Sequence, residues 1–286
     1  MHLPEYETMC HFSALIENED LRTVAEANRI CNESGMDTIS AGATLACFSE
    51  VTGEKLTPDG IIELLSEIAS GSGKGRELSR GSWLFAESRG CPEFSMSVKR
   101  MELPGYDPRG AYGMALGYVT STRGGCHLRA YPISHEILRK PVATDRFSFA
   151  GKARIVKIAE DMNAAVDSLT SCKFLFFGCS LEEYSAAYSA VTGMETSSQA
   201  LLTDGERIYF RERMMNSVCG FTAKDDDLPP RFFTEAGSSG DGIEIPPISR
   251  DDFLEARSKY YSIRGLDPDG CPLRSRAEEL RLEELL

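Results

Sequence analysis

The chain has 286 residues, of which 42% are hydrophobic and 26% charged, a composition typical of a soluble globular protein with one large or two ordinary domains. Its formal net charge of −13 argues against nucleic acid or an anionic membrane as the main partner. No apolar run approaches the roughly 18 residues of a membrane span, and the first residues lack the basic and apolar regions of a signal peptide.

The nine cysteines are an odd number at scattered positions, which does not predict a disulfide framework. A reducing cytoplasm is therefore the expected location. The sequence contains no Cys-x-x-Cys pair, so spacing alone does not predict a self-contained iron–sulfur or zinc site.

Hydrophobic spacing and capping residues predict a mainly α-helical, multihelical chain with little β-structure. Residues 1–17 are predicted to be irregular. Helices are predicted at 19–34, 42–50, 58–70, 108–123, 150–171, 181–192, 197–219, 249–262 and 272–284. The stretch 91–106 alone has strand character, because apolar and polar residues alternate there. Residues 225–248 are acidic and then rich in Pro, Gly and Ser, which predicts a surface loop with little core.

Several helix ends carry specific signals. Thr57 is a predicted N-cap, Ser180 with Glu183 forms a predicted capping box, and Gly35 is a predicted stop. The segment Gly71–Gly75 is glycine-rich but follows a predicted helix, and Lys74 precedes Gly rather than Ser or Thr. We therefore interpret it as a connection and not as a phosphate-binding loop. On the long helix 197–219, the arginines 207, 211 and 213 are predicted to face solvent.

The predicted helix 108–123 carries three glycines on one side, Gly110, Gly113 and Gly117. Each glycine costs about 1 kcal/mol relative to alanine in a helix interior. Either another backbone packs very close to this side, or a large flat ligand lies against it.

Taken without any comparison, the chemically active side chains have ordinary interpretations. His127 follows a predicted helix C-terminus, where the helix dipole favours a protonated histidine. Glu7 is an exposed carboxylate in an irregular N-terminal segment. The polar residues around Asp37 and Asp167 are helix-terminal caps.

Four motifs in the same order nevertheless resemble the aldehyde ferredoxin oxidoreductase family of tungsten-pterin enzymes. The first is Pro4-Glu-Tyr-Glu-Thr8, the second is Asn32-Glu-Ser-Gly-Met-Asp-Thr-Ile-Ser40, and the fourth is Asp167-Ser-Leu-Thr-Ser-Cys-Lys-Phe174. The third runs from Asp107 to Arg129 and consists of Asp-Pro-Arg, a glycine-rich predicted helix, Thr-Ser-Thr-Arg-Gly and His-Leu-Arg. The resemblance runs from residue 3 to the end. It implies two helical domains, 1–110 and 111–286, which correspond to the second and third domains of the family.

The resemblance also assigns roles to residues. It implies that Glu7 and His127 are catalytic, with Glu5 and then Glu26 as substitutes if Glu7 is misplaced. Asn32, Met36 and Asp37 correspond to one pterin-binding turn, and Asp167 and Ser171 to the other. Cys172 corresponds to the fourth ligand of a [4Fe–4S] cluster.

The chain departs from the family pattern at these turns. Asn32 replaces the usual Asp, Met36 replaces Leu, and Thr170-Ser171 replaces Gly-Leu. Because Asn32 keeps a side-chain acceptor, we expect weaker pterin contact rather than none. The family's other three cluster cysteines and its N-terminal pterin-binding domain precede Pro-Glu-Tyr-Glu-Thr and are not in this sequence.

By this resemblance, the chain is the C-terminal part of an enzyme that oxidises an aldehyde to a carboxylic acid. The implied cofactors are a tungsten (or molybdenum) bis-pterin and a [4Fe–4S] cluster, and the implied partners are the missing N-terminal domain or subunit and ferredoxin. The chain alone is expected to be inactive, and a homo-oligomer is left open. Two alternatives remain: the tungsten subunit of a benzoyl-coenzyme A reductase, and a non-catalytic helical scaffold.

Overall fold

The structure, a computed structural model, describes residues 3–238, 240 and 242–282. Within these residues the α-helices are α1 (Tyr6–Phe12), α2 (Leu21–Ser34), α3 (Thr38–Thr52), α4 (Pro58–Ser70), α5 (Gly75–Leu78), α6 (Ser82–Ser88), α7 (Tyr112–Thr120), α8 (Ile133–Glu136), α9 (Lys152–Ser168), α10 (Leu181–Thr192), α11 (Ser198–Val218), α12 (Arg231–Thr234), α13 (Arg250–Arg264) and α14 (Arg274–Glu279). Two antiparallel hairpins pair β1 (Ser97–Val98) with β2 (Met101–Glu102) and β3 (Gly237–Ser238) with β4 (Glu244–Ile245). The prediction of a mainly α-helical fold with little β-structure is confirmed.

Helices with explicit caps begin and end where the sequence predicts. The hydroxyl of Thr57 accepts a hydrogen bond from the Gly60 N–H at the start of α4. Ser180 and Glu183 form the capping box of α10. Gly35 ends α2 in the left-handed conformation, with φ of +69°. These positions were predictable because each cap satisfies backbone groups that a helix end leaves without an intrahelical partner.

Other boundaries were predicted wrongly. Residues 1–17 are not irregular, since they contain α1 and a 3₁₀ turn at Ala14–Ile16. The predicted helix 108–123 is a 3₁₀ turn at Pro108–Gly110 followed by the shorter α7. All nine residues of α7 are buried, so tertiary packing and not local capping sets its limits. The predicted helix 272–284 is observed as α14, and its last two residues lie outside the described ranges.

The chain separates into two units. The first runs to Asp107 and also takes in Arg123–Cys126 and Leu228–Ala236. Its core is formed by apolar side chains of α2, α3, α4 and α6, which include Val24, Leu45, Phe48, Leu65 and Phe85. The predicted domain limits 1–110 and 111–286 stay a prediction.

The second unit comprises the rest of the chain and is built on α7, α9, α11 and α13. Its centre contains charged groups: the buried carboxylate of Glu160 accepts hydrogen bonds from Thr120 (2.8 Å), Tyr209 (2.9 Å), Tyr260 (2.5 Å) and Arg264 (2.6 Å). A buried carboxylate is tolerated when it is paired and hydrogen-bonded in this way.

Two predictions of solvent-facing polar segments were wrong. Arg213, predicted to face solvent, is 2% exposed and pairs with the fully buried Asp226. Asp226 lies in the segment 225–248 that was predicted to have little core, and Leu228, Phe232 and Ile248 of that segment are also buried. The arginine and aspartate enter the interior together because each compensates the charge of the other.

The glycines at the start of the second unit face protein. A Cβ atom on Gly113 would lie 3.0 Å from the carboxylate of Glu136, and one on Gly117 would lie 3.4 Å from Ala130. A Cβ atom on Gly110 would lie 3.1 Å from the guanidinium of Arg146. Close packing of the chain against itself therefore accounts for Gly113, and protein side chains also fill the space beside Gly110 and Gly117. At Gly117 an added Cβ would make only an ordinary van der Waals contact. The flat-ligand alternative is not needed.

Over the described ranges, the helices are too short or too polar to cross a membrane. All nine cysteines carry free thiols.

Candidate functional site

Glu7 lies on α1, and its side chain is only 14% exposed. Its Oε2 accepts a hydrogen bond of 2.8 Å from the N–H of Gly105. A Cβ atom on residue 105 would lie 2.6 Å from the sulfur of Cys10 and 3.4 Å from this same oxygen, so a glycine permits the close approach. The prediction from sequence alone of an exposed carboxylate was therefore wrong.

The helix that carries Glu7 is held by its buried face. Gly42 of α3 packs against α1 so closely that an added Cβ would lie 2.6 Å from the Cβ of His11. The hydroxyl of Thr8 donates to the hydroxyl of Thr38 at 2.9 Å. These two contacts fix α1 on α3 and thereby fix the position of Glu7.

Burial is the main influence on Glu7. It raises the pKa of the carboxyl, while the hydrogen bond from Gly105 and the charge of His11 lower it and the charge of Asp37 raises it. The net effect is a pKa above the ordinary value. A carboxyl group with a raised pKa is suited to taking and returning a proton.

A cleft of about 710 Å³ in the first unit is lined by three predicted pterin-binding residues, Asn32, Met36 and Asp37. Asn28 and Arg29 also line this cleft. The Asn32 amide nitrogen donates to the backbone carbonyl of Asn28 at 2.7 Å. The amide oxygen of Asn32 is a hydrogen-bond acceptor. Amide and carboxylate acceptors beside an arginine suit the donor and acceptor edge of a pterin. The residues of this cleft therefore fit such a group.

The two predicted turns follow the same backbone path. After α2, the residue in the left-handed region is Gly35, and after α9 it is Thr170, with φ of +54°. In both turns, the backbone N–H of the following residue donates a hydrogen bond to the carbonyl five residues earlier. Met36 donates to Cys31 at 2.8 Å, and Ser171 donates to Val166 at 3.4 Å. This is the hydrogen bond of a Schellman motif. Asp37 (φ −72°, ψ 130°) and Cys172 (φ −64°, ψ 128°) then precede the next helix in nearly the same conformation.

The second turn presents Asp167, Ser171 and Cys172 at the surface of the second unit. Both oxygens of Asp167 accept from Lys173 at 2.9 Å, and each keeps capacity for one more hydrogen bond. The Cys172 thiol is exposed. A [4Fe–4S] cluster needs four thiolates, and nowhere in the described part of the chain do three metal-binding side chains gather. Cys172 fits such a cluster only as one of its ligands.

His127 lies in the loop between α7 and α8 rather than at the end of a helix, because α7 stops at Thr120. Its ring is 6.2 Å from that of Tyr131, which in turn is 5.8 Å from the ring of Phe176. Phe176 belongs to the 3₁₀ turn Lys173–Phe177 that follows Cys172. The second unit thus places the His127 loop next to the Cys172 segment, which sequence reasoning did not predict.

Sequence reasoning also missed the groups that hold this loop. The amide of Asn163 donates to the backbone carbonyls of residues 128, 129 and 130, at 3.0 Å for Arg129. Glu212 of α11 accepts from Thr122 at 2.6 Å and from Arg129. The side chains come from helices distant in the chain, so no local pattern indicated them.

The two substitutes for Glu7 occupy less suitable places. Glu5 is exposed at the start of α1 and borders the cleft. Glu26 is 38% exposed on α2 and paired with Arg29. Neither has the enclosed environment of Glu7.

Comparison with known proteins identifies relatives over the whole chain. Residues 1–282 match the family model described as aldehyde ferredoxin oxidoreductase, domains 2 and 3. A tungsten-containing aldehyde ferredoxin oxidoreductase of Thermococcus kodakarensis is 40% identical over 301 residues, covering 99% of this chain and 49% of that protein. The protein of the same name from Pyrococcus furiosus is 37% identical and is likewise covered over 49% of its length. The chain therefore spans about half the length of the curated relatives it matches.

A solved structure shares the fold. The active site complex BamBC of benzoyl coenzyme A reductase with 1,5-dienoyl-CoA matches 98% of this chain and 49% of its own chain, with a TM-score of 0.78. The two sequences are 15% identical, so this similarity shows the fold alone.

Proposed function

The chain belongs to the aldehyde ferredoxin oxidoreductase family, and from this membership we propose that it forms the domain 2 and 3 half of a tungstopterin aldehyde:ferredoxin oxidoreductase. In the overall reaction an aldehyde and a water become a carboxylic acid, two protons and two electrons. When bound, the tungstopterin supplies the two-electron redox chemistry and the iron–sulfur cluster the one-electron transfer to ferredoxin. A reducing cytoplasm is the location proposed for this chemistry, in keeping with the free thiols.

The observation that carries the proposal is the environment of Glu7. Burial raises the pKa of this carboxyl and so costs stability at neutral pH, and carboxyls perturbed in this way cluster at functional sites. In the proposed reaction, Glu7 in its carboxylate form accepts a proton released as the hydrated aldehyde is oxidised. Its raised pKa gives the carboxylate a higher proton affinity than that of an ordinary glutamate.

The other site residues receive roles consistent with their surroundings. Asn32, Met36 and Asp37, which line the first cleft, would hold one pterin. Asp167 and Ser171 would hold the second pterin, and Cys172 would supply one cluster thiolate. His127, whose ring is tilted relative to that of Tyr131, orients the substrate and carries a proton. The remaining ligands are proposed to come from the other half of the relatives' length, whether on the same polypeptide or on a second one.

Aldehydes are favoured over the alternative substrates by similarity. The relatives named as aldehyde enzymes are 36–40% identical to this chain. An aliphatic sulfonate oxidoreductase subunit of Pyrococcus furiosus is 23% identical, and the benzoyl coenzyme A reductase chain 15%.

Co-production with the other half tests the proposal. We expect the chain purified alone to lack tungsten, and the assembled pair to contain tungsten and iron and to reduce a viologen dye with an aldehyde. In that pair, Glu7→Gln should keep the metals and lower aldehyde oxidation by about 10²-fold or more. The matched control Glu54→Gln alters an exposed carboxylate that pairs with Lys74 and should change neither.

Two results would contradict the proposal. An assembled pair without tungsten would favour the scaffold. A tungsten-loaded pair that oxidises no aldehyde would remove the proposed activity while leaving the cofactor assignment in place.

A further inference from the structure

The histidine beneath Glu7 has a carbonyl oxygen beside each of its ring nitrogens. His11 is 1% exposed. Its Nδ1 is 2.7 Å from the carbonyl oxygen of Glu7, and its Nε2 is 3.3 Å from the carbonyl oxygen of Leu103. A carbonyl oxygen only accepts hydrogen bonds, so each ring nitrogen must carry a hydrogen to bond its partner. A neutral imidazole carries one such hydrogen, and only the positively charged imidazolium satisfies both contacts.

The His11 ring lies directly against the Glu7 carboxylate. Its Nδ1 is 3.6 Å from the Oε2 of Glu7, the same oxygen that accepts from Gly105. Asp37 has a negative charge that opposes the ionisation of Glu7. Burial and the charge of Glu7 raise the pKa of the neighbouring Cys10 thiol, so this thiol is neutral. As an imidazolium, His11 would oppose the effects of burial and of the Asp37 charge on Glu7.

We propose that His11 is a positioning residue that, as a buried imidazolium, holds Glu7 in its carboxylate form and orients it for proton uptake. The inference rests on the proposed role of Glu7 and adds to it. The proton from the hydrated aldehyde goes to the Glu7 carboxylate, and His11 keeps both of its own hydrogens throughout. No oxidant or reductant is involved in this step.

A purely structural role for His11 makes different predictions. The close approach of Gly42 to the Cβ of His11 shows that the residue also packs α1 on α3. If packing were its only role, a neutral side chain of similar size would cost stability and leave the titration of Glu7 unchanged.

The first experiment measures the charge of His11 directly in the full chain. In a sample with ¹⁵N-labelled histidine at pH 7, the signals lost in His11→Gln identify this ring. We expect both of its nitrogens to be protonated. One protonated and one unprotonated nitrogen would overturn the proposal. The measurement itself is made on the original chain, and His11→Gln is needed only to assign the signals of His11.

The second experiment follows the Glu7 carboxyl by pH-difference infrared spectroscopy, with the band identified by its loss in Glu7→Gln. In His11→Gln we expect the midpoint of Glu7 ionisation to rise by about 1 pH unit. His11→Lys, which keeps the positive charge, should return it toward the original value. The matched control His135→Gln removes a histidine of the second unit and should leave the midpoint unchanged.

An unchanged midpoint in a folded His11→Gln chain would overturn the proposal. Neither experiment requires a metal or a substrate. If the midpoint moves as expected but the assembled enzyme remains fully active with Glu7→Gln, the proposed catalytic role of Glu7 fails while the coupling of His11 to Glu7 stands. If the assembled pair oxidises no aldehyde, the proposed function fails and the coupling again stands. In an active enzyme, the acid limb of the pH–rate profile should shift to higher pH in His11→Gln, in parallel with the infrared midpoint.

Discussion

Arg129, two residues after His127, donates a hydrogen bond to the carboxylate of Glu212 on α11. The same oxygen accepts from the hydroxyl of Thr122 at 2.6 Å. One carboxylate therefore holds the His127 loop on both sides of the histidine. The arginine side chain is 11% exposed, so this pair is better shielded than an ordinary surface ion pair.

Replacing this carboxylate should loosen the loop. We expect Glu212→Ala to lower the free energy of unfolding by about 2 kcal/mol, since hydrogen bonds to a charged group contribute about 1.5–3 kcal/mol. Amide hydrogen exchange should accelerate at residues 127–130. The control Glu278→Ala breaks an exposed pair with Arg274 and should cost less than about 0.5 kcal/mol. Unchanged exchange at residues 127–130 in Glu212→Ala would count against the anchoring role.

Thr170 occupies a position where the backbone favours glycine. Its φ of +54° lies in the left-handed region, which costs about 1–2 kcal/mol for a residue with a Cβ. The family resemblance places a glycine at this position of the predicted pterin-binding turn, and Gly35 has the same conformation in the first turn. The threonine thus retains the backbone path of the turn at an energetic cost.

Thr170→Gly should therefore stabilise the chain, by about 1 kcal/mol after the greater unfolded-state entropy of glycine is subtracted. Chemical denaturation measures the difference. The same replacement at Thr203, an exposed residue inside α11, should destabilise by about 0.5–1 kcal/mol. The two variants are expected to differ in sign, and a loss of stability in both would contradict the strain assigned to Thr170.

The raised pKa of Glu7 makes its contribution to stability dependent on pH. The folded state holds the proton more tightly than the unfolded state, whose pKa is near 4.5. Stability is therefore lost as the pH rises from that value through the folded pKa. Glu7→Gln removes this loss, so its free energy of unfolding relative to the original chain should be greater at pH 7 than at pH 4. Urea denaturation at both pH values gives the comparison.

The pH dependence of the stability contribution of Glu183 is opposite in sign to that of Glu7. Its hydrogen bonds to the Ser180 hydroxyl and backbone lower the pKa of the carboxyl, and the stabilisation is lost as the pH falls through the folded value. Glu183→Gln should therefore be less stable than the original chain at pH 7 and approach it in acid. If Glu7→Gln showed the same trend as Glu183→Gln, the net effect of burial on Glu7 would be misassigned.

The sequence predicted those elements whose signals are local. Backbone groups within one helical turn are satisfied by Thr57, by Ser180 with Glu183, and by Gly35. The helices that these residues cap begin or end where the sequence predicted. The α1 helix was missed because it has seven residues and is too short to be stable alone. It depends on Gly42, more than thirty positions away in the chain.

The candidate site shows the same division. Motif resemblance predicted roles for Glu7, Asp37, Asp167 and Cys172, and these roles stay predictions. The structure shows that the two turns share one backbone path. The groups that determine their chemistry, such as Gly105 and His11 around Glu7, were not predicted. His11 lies one helical turn from Glu7, so the i, i+4 spacing would have indicated it had α1 been recognised.

Two helix backbones of the second unit come very close at Gly205. A Cβ atom there would overlap the carbonyl oxygen of Asp161, so α11 crosses α9 with no room for a side chain. Because that neighbour is backbone and cannot rotate away, Gly205→Ala must push the helices apart. We expect it to lower the free energy of unfolding by about 3 kcal/mol, despite the higher helix propensity of alanine. Gly178→Ala, where an added Cβ meets no atom within 4 Å, should have little effect on chemical denaturation. Equal stability of the two variants would show that α9 and α11 can separate without cost.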